Sequence, residues 1–260
     1  MGKLIRSDFY KILRTKYLYV CAIFSALMAM LIVYAEYFVI LQTYGDYASL
    51  FSLDSISAIM MGTPSFISLA AIAIAMFVSS DFNYGTIKNV ISSGVSRIKI
   101  YFSKVIVSFT ITFFYALISC VTSFIMGSVL WEVGEYTRDV YINLIKSLSF
   151  SLFASFALIS VYIMIGFLVR NSGIAIAVNL GTYYIVMPLL IKFVNVAVAT
   201  WFKISEFNLS DYLASTYVSK VLNFNELASQ EITTGLIVCG SYILLSTVIG
   251  LVTFKRRDIK

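Results

Sequence analysis

The sequence predicts an all-α polytopic membrane protein. It has six transmembrane helices, both ends in the cytoplasm, and an amphipathic interfacial helix before the first span. Three observations predict this. Of the 260 residues, 60% are hydrophobic and only 12% charged, with a mean hydropathy of +0.92; an average soluble domain carries about 25% charge. The apolar residues fall in six long runs, and a span needs about 20 such residues. The basic residues gather on one side of those runs.

Residues 1–16 precede the first run. In KLIRSDFYKILRTK, Ile5, Phe9, Ile12 and Leu13 share one helical face, while Lys3, Arg6, Lys11, Arg14 and Lys16 cover much of the rest. Such a helix lies in the membrane interface with its basic face toward anionic lipid heads; a plain basic flank of the first span is the simpler reading. The spans are expected at 17–41, 58–80, 105–130, 144–169, 174–198 and 232–254. The first is too long for the apolar core of a signal peptide. The fifth contains Pro188, with Lys192 and Asn195 near its far end, so a kink is expected there. Residues 81–104 form the one sizeable polar connection on the inner side. Residues 199–231 form the longest outer connection, where Leu213, Tyr217, Val221 and Leu222 share a face. That pattern predicts a short helix resting on the outer surface or dipping into the bilayer.

With the N-terminus inside, 14 of the 19 lysines and arginines face the cytoplasm, but only Asp8, Asp81 and Asp258 of the 13 acids do. This asymmetry also accounts for the net charge of +6 without a nucleic-acid partner. There is no histidine, which removes the commonest zinc ligand and general base. Cys21, Cys120 and Cys239 lie inside apolar runs without metal-like spacing. No metal site and no catalytic constellation is expected, so the chain does not read as an enzyme.

The inner connection carries the most information. Gly85 and Gly94 bracket TIKNVISS, and glycine permits the backbone turns at both ends of a short helix. Thr86 is the candidate N-cap. Ile87, Val90 and Ile91 form an apolar face, and Lys88, Asn89 and Ser92 a polar one. That apolar face needs a cover, either the inner ends of the spans or a groove on a partner.

This loop resembles the first cytoplasmic loop of ABC transporter permeases of the type-2 exporter class. The residues that carry the resemblance are Asp81, Gly85, Thr86, Lys88, Gly94, Ser96, Arg97 and Lys104. The ending, with Phe254, Arg256, Arg257 and Asp258, also looks like the family's tail. The resemblance implies a coupling helix that docks on an ATPase, with Ile87, Val90 and Ile91 among the coupling residues. It implies two ABC ATPase subunits holding ATP and Mg²⁺, a second permease chain, identical or homologous, and a bacterial cytoplasmic membrane. Among relatives it looks most like the antibiotic-resistance and bacteriocin-immunity subset, which exports drugs, antimicrobial peptides or lipids. The chain itself has no G-x-x-x-x-G-K-[ST] loop for nucleotide phosphates.

Small residues recur at four-residue spacing as Gly173, Ala177 and Gly181, and as Ser147, Ser151 and Ser155. Such stripes let helices approach closely. The first stripe serves either packing within the chain or, as the resemblance implies, the permease–permease interface. The spans carry few polar groups, chiefly Asn179 and Glu36. That argues against the alternative of a stand-alone secondary transporter or channel, which needs charged or broken segments for its ions.

Overall fold

The computed structural model describes residues 1–44, 58–59, 62–131, 138–169, 171–198, 200, 208–219 and 229–256. Among them there is no strand. The helices are α1 (Gly2–Leu13), α2 (Lys16–Tyr44), α3 (Phe66–Asn83), α4 (Thr86–Ser92), α5 (Arg97–Leu130) and α6 (Arg138–Val169). They continue as α7 (Ser172–Gly181), α8 (Met187–Ala197), α9 (Ala214–Ser219) and α10 (Ser229–Arg256). Among the described residues, six helical segments are long and apolar enough to cross a membrane: α2, α3, α5, α6, the run from α7 to α8, and α10.

Helix ends do not coincide with the apolar runs. α5 starts at Arg97, eight residues before its run, and α6 starts at Arg138, six before. Backbone hydrogen bonds carry a helix on into water, whereas hydropathy marks only the part that lipid can surround. At 34 residues, α5 is about 51 Å long, well beyond a hydrocarbon core of about 30 Å. α3 starts late, at Phe66, after Pro64 in a 3₁₀ turn.

α3 is the central post. Ala70, Ala71, Ala73, Ile74 and Ala75 are all buried, and their small side chains let α2, α5, α6 and α7 approach it. α6 and α10 pack along each other, and Ser246 donates to Ser160 Oγ at 2.7 Å between them. Where α10 crosses α5, Gly250 leaves room for Tyr101: a Cβ there would lie 2.5 Å from the Tyr101 hydroxyl oxygen. Tyr101 is 1% exposed and has nowhere to go. Gly250→Val should therefore lower stability by about 1–3 kcal/mol, read as earlier thermal unfolding in detergent. Gly240→Val, with no neighbour within 4 Å of its added carbon, should leave unfolding unchanged.

The fifth span is helical throughout but changes register. Thr182–Val186 is a π-helical turn, and the Met187 N–H reaches back to the Thr182 carbonyl. A proline clashes with the carbonyl four residues before it. The wider turn ahead of Pro188 relieves that crowding, so the expected break is a register shift inside a continuous helix. Asn179 points into the bundle, where its amide donates to the Ala71 carbonyl at 3.5 Å.

The segment before α10 differs from expectation. Leu213, Tyr217 and Val218 are buried, against α6 and α10 and not against lipid. The Tyr217 ring meets Phe150 edge-on at 5.8 Å, in space left by Gly235. An amphipathic pattern specifies a dry face but not whether lipid or protein covers it. Val221 and Leu222 lie outside the described residues.

α1 and the end of α10 lie at the same end of the bundle, hereafter the terminal face. An aromatic cluster closes it. Phe167 sits 4.9 Å from Tyr101 and 4.9 Å from Phe254, and Phe82 touches Phe167 edge-on at 5.7 Å. Such contacts add about 0.5–1.5 kcal/mol per pair beyond burial. They tie the ends of α3, α5, α6 and α10 together.

Candidate functional site

The terminal face is built around a buried lysine. Lys104, in the second turn of α5, has a side chain only 2% exposed. An unpaired cation there would be costly, and the fold supplies three partners from α1 and α3. Asp81, near the end of α3, meets its ammonium at 2.6 Å. Asp8 of α1 meets it at 3.2 Å. The Phe77 ring lies beneath it, with its centroid at 3.8 Å, in cation–π geometry.

Both carboxylates are fully used. Asp8 Oδ2 accepts from Ser103 Oγ at 2.6 Å. Asp81 Oδ1 accepts from Thr86 Oγ1 at 2.8 Å and faces Lys11 Nζ at 3.5 Å. Two aspartates and two lysines cancel in charge, and a network with every oxygen satisfied is rigid rather than merely tolerated. It joins α1, the end of α3, the start of α4 and the start of α5.

α4 is held from both ends. Gly85 has φ 65° and Gly94 φ 84°, a left-handed region that strains other residues. Gly85 is the N-cap. Thr86 is the first helical residue instead, because its hydroxyl is turned back to Asp81. Ile87 is 4% exposed, and Val90 and Ile91 pack partly against the same core. The apolar face of α4 is thus covered by its own chain. Lys88, Asn89 and Ser92 face outward, next to Tyr84 at 82% exposure.

The segment returns to the bundle through Ser96, the extended N-cap residue of α5. Arg97 then reaches across to the last helix. Its guanidinium donates to the carbonyls of Phe254 at 3.1 Å and Lys255 at 2.9 Å. These carbonyls belong to the last described turn of α10, where a cation complements the negative end of the helix dipole. Asn83 donates to Ser172 Oγ at 2.6 Å, linking the α3–α4 corner to the start of α7. Arg256 is described, but Arg257 and Asp258 of the tail pattern lie outside the described residues, as does Arg170 between α6 and α7.

The structure therefore brings together Asp81, Thr86 and Lys104 and places Ile87 beneath them. It sends Arg97 to a different partner and leaves Lys88 at the surface. Sequence reading missed Asp8, Ser103, Lys11 and Phe77 as partners of Lys104 and Asp81. A signal was present: Asp8 stands between Leu4 and Ile12 at four-residue spacing, inside the apolar stripe of α1. A carboxylate in such a stripe needs a buried partner.

Away from this face, Ala175 and Asn179 are the buried positions of α7, against α3. Gly173 and Ala177 are exposed and Gly181 is half-buried, with no atom within 4 Å of a carbon added there. Among the described residues, this stripe makes no close helix contact within the chain. Ser147, Ser151 and Ser155 of α6 do face inward, each at most 1% exposed.

Residues 4–188 match the family described as ABC-2 family transporter protein. The matched stretch holds the whole charged network and all of α4. A search of curated proteins found no match to the chain.

Proposed function

Because the chain belongs to the ABC-2 transporter family, it is a membrane-spanning subunit of an ABC transporter, and we propose that it forms half of an export pore driven by a separate ATPase. The terminal face is read as cytoplasmic, since the basic residues gather there. ATP and Mg²⁺ are assigned to the ATPase. Its contact on this chain would be the outer side of α4, with Tyr84, Lys88, Asn89 and Ser92. Tyrosine is enriched in protein contacts, and Tyr84 stands almost fully exposed there.

The observation that carries this reading is the path leading away from α4. A push on α4 meets Thr86, then Asp81, then Lys104, and reaches α1 through Asp8. A second path runs through Asn83 and Ser172 to α7, and a third through Arg97 to the end of α10. Every inward link is a hydrogen bond or ion pair between different elements, so the face moves as a body rather than absorbing the push. A second copy, or a homologous permease, would meet the outward stripe Gly173, Ala177 and Gly181.

The substrate class is an amphipathic molecule such as a drug, an antimicrobial peptide or a lipid. Resemblance to the antibiotic-resistance and bacteriocin-immunity subset supports it.

The test is co-purification from the native host with the double variant Tyr84→Ala/Lys88→Glu. Two residues central to an interface each carry about 2 kcal/mol or more, so retention of the ATPase should fall more than tenfold while folding is unchanged. Full retention of the ATPase would rule out this side of α4 as the contact.

A further inference from the structure

Next to the charged network, further along α1 and α5, α1 does not close fully against the bundle. A groove of about 400 Å³ runs between α1, α2 and α5. Its walls come from Phe9 and Leu13 of α1, Leu18 and Ala22 of α2, and Phe114 and Ile118 of α5. The volume falls in the range of small-molecule sites, about 300–1,000 Å³.

The chemistry of the wall narrows the occupant. Three polar side chains line it, and each already has a partner. Tyr19 donates to the Leu13 carbonyl at 2.7 Å, Tyr115 to the Leu18 carbonyl at 2.7 Å, and Thr110 to the Ile106 carbonyl at 2.9 Å. The interior therefore recognises hydrocarbon and offers no free side-chain donor.

The rim is different. Leu13 and Leu18 of the wall flank Arg14 and Lys16 in sequence, both exposed. Arg14 stacks on Tyr10, 4.5 Å from the ring centroid. Lys11 is turned to Asp81, and Asp8, the one acid of α1, is committed to Lys104. So two exposed cations lie in the chain between the lining residues Leu13 and Leu18, with no free carboxylate of α1 to balance them.

We propose that this groove binds a phospholipid with an anionic head group, its acyl chain along α2 and α5 and its head on Arg14 and Lys16. Charge complementarity selects the anionic class, because a basic residue close to an anionic lipid surface gains about fivefold in binding. The assignment does not rest on the export reading. Its consequence for the chain is direct. The lipid holds Phe9, Ile12 and Leu13 of α1 while Lys104 holds Asp8 a turn earlier, so membrane composition sets the seat of α1.

The experiment uses tryptophan quenching by lipids brominated on the acyl chain. Trp131 and Trp201 are replaced by phenylalanine, and one tryptophan is placed in the groove as Phe114→Trp, or as Ile118→Trp should the first variant not fold. A control tryptophan replaces Leu244, on α10 and 69% exposed. The full chain is reconstituted in vesicles of phosphatidylcholine with increasing phosphatidylglycerol, either lipid brominated in turn. The groove tryptophan should favour phosphatidylglycerol about fivefold or more, and Arg14→Gln/Lys16→Gln should bring that ratio close to one. The control should show no preference. Equal ratios at groove and control, or a groove preference that survives loss of both charges, would overturn the proposal and leave ordinary boundary lipid. Absence of quenching at the groove position would overturn it as well.

Discussion

Lys104→Ala should be among the most damaging single substitutions in the chain. It removes the cation from between two carboxylates and leaves Asp8, 4% exposed, with a serine as its one remaining partner. Breaking a buried pair from one side costs about 3–5 kcal/mol, because the other charge stays buried and uncompensated. Asp81 suffers less, since Lys11 and Thr86 still face it. The expected result is release of α1, seen as new protease cleavage within residues 1–16 and a lower unfolding temperature in detergent. The double variant Lys104→Met/Asp8→Leu should regain most of that stability, as matched apolar groups often replace a buried pair at little cost. Its coupling should remain impaired if the charged network transmits motion. An unchanged protease pattern in Lys104→Ala would mean that α1 is held by its apolar face alone.

Ile87→Asp should have a comparable effect by a different route. α4 has seven residues, far below the roughly 12–15 that sustain an isolated helix in water. Its order depends on the contact made by Ile87, which is 4% exposed. A carboxylate in that position finds no cation on its own helix, since Lys88 points outward, and burying it unpaired costs several kcal/mol. The helix should therefore lift off the bundle. Amide exchange should rise across residues 86–92, and ATP hydrolysis should continue without matching transport. Lys88→Asp, which puts the same carboxylate at an exposed site, should leave amide exchange as it was. Unaltered protection in Ile87→Asp would show that α4 is held by its glycine turns and Thr86 without its apolar face.

Particular residues show how far the sequence could be read. Six apolar runs were visible because lipid imposes one solvent on a long stretch of chain, and composition reports that directly. Gly85 and Gly94 were visible because left-handed turns narrow the choice of residue. Asp81, Thr86 and Lys104 could be picked out one at a time, by resemblance, but their meeting with Asp8 could not. Their separation along the chain is set by how α1, α3 and α5 pack, and no local pattern encodes that. The direction of the Gly173–Gly181 stripe was open for the same reason: spacing shows that residues share a face, not what the face meets. The burial of Leu213 and Tyr217 against α6 and α10 was hidden because protein and lipid select the same apolar side chains.

The continuity of α5 has a mechanical consequence. It begins at Arg97 beside α4, carries Lys104 in its second turn, and runs to Leu130 without a proline. A continuous helix of that length acts as a lever arm. Each degree of tilt about Lys104 displaces the opposite tip by about 0.7 Å over the remaining length of about 39 Å. A small angular stroke at one membrane surface would thus emerge at the other as a displacement of several ångströms, with no hinge in between to dissipate it.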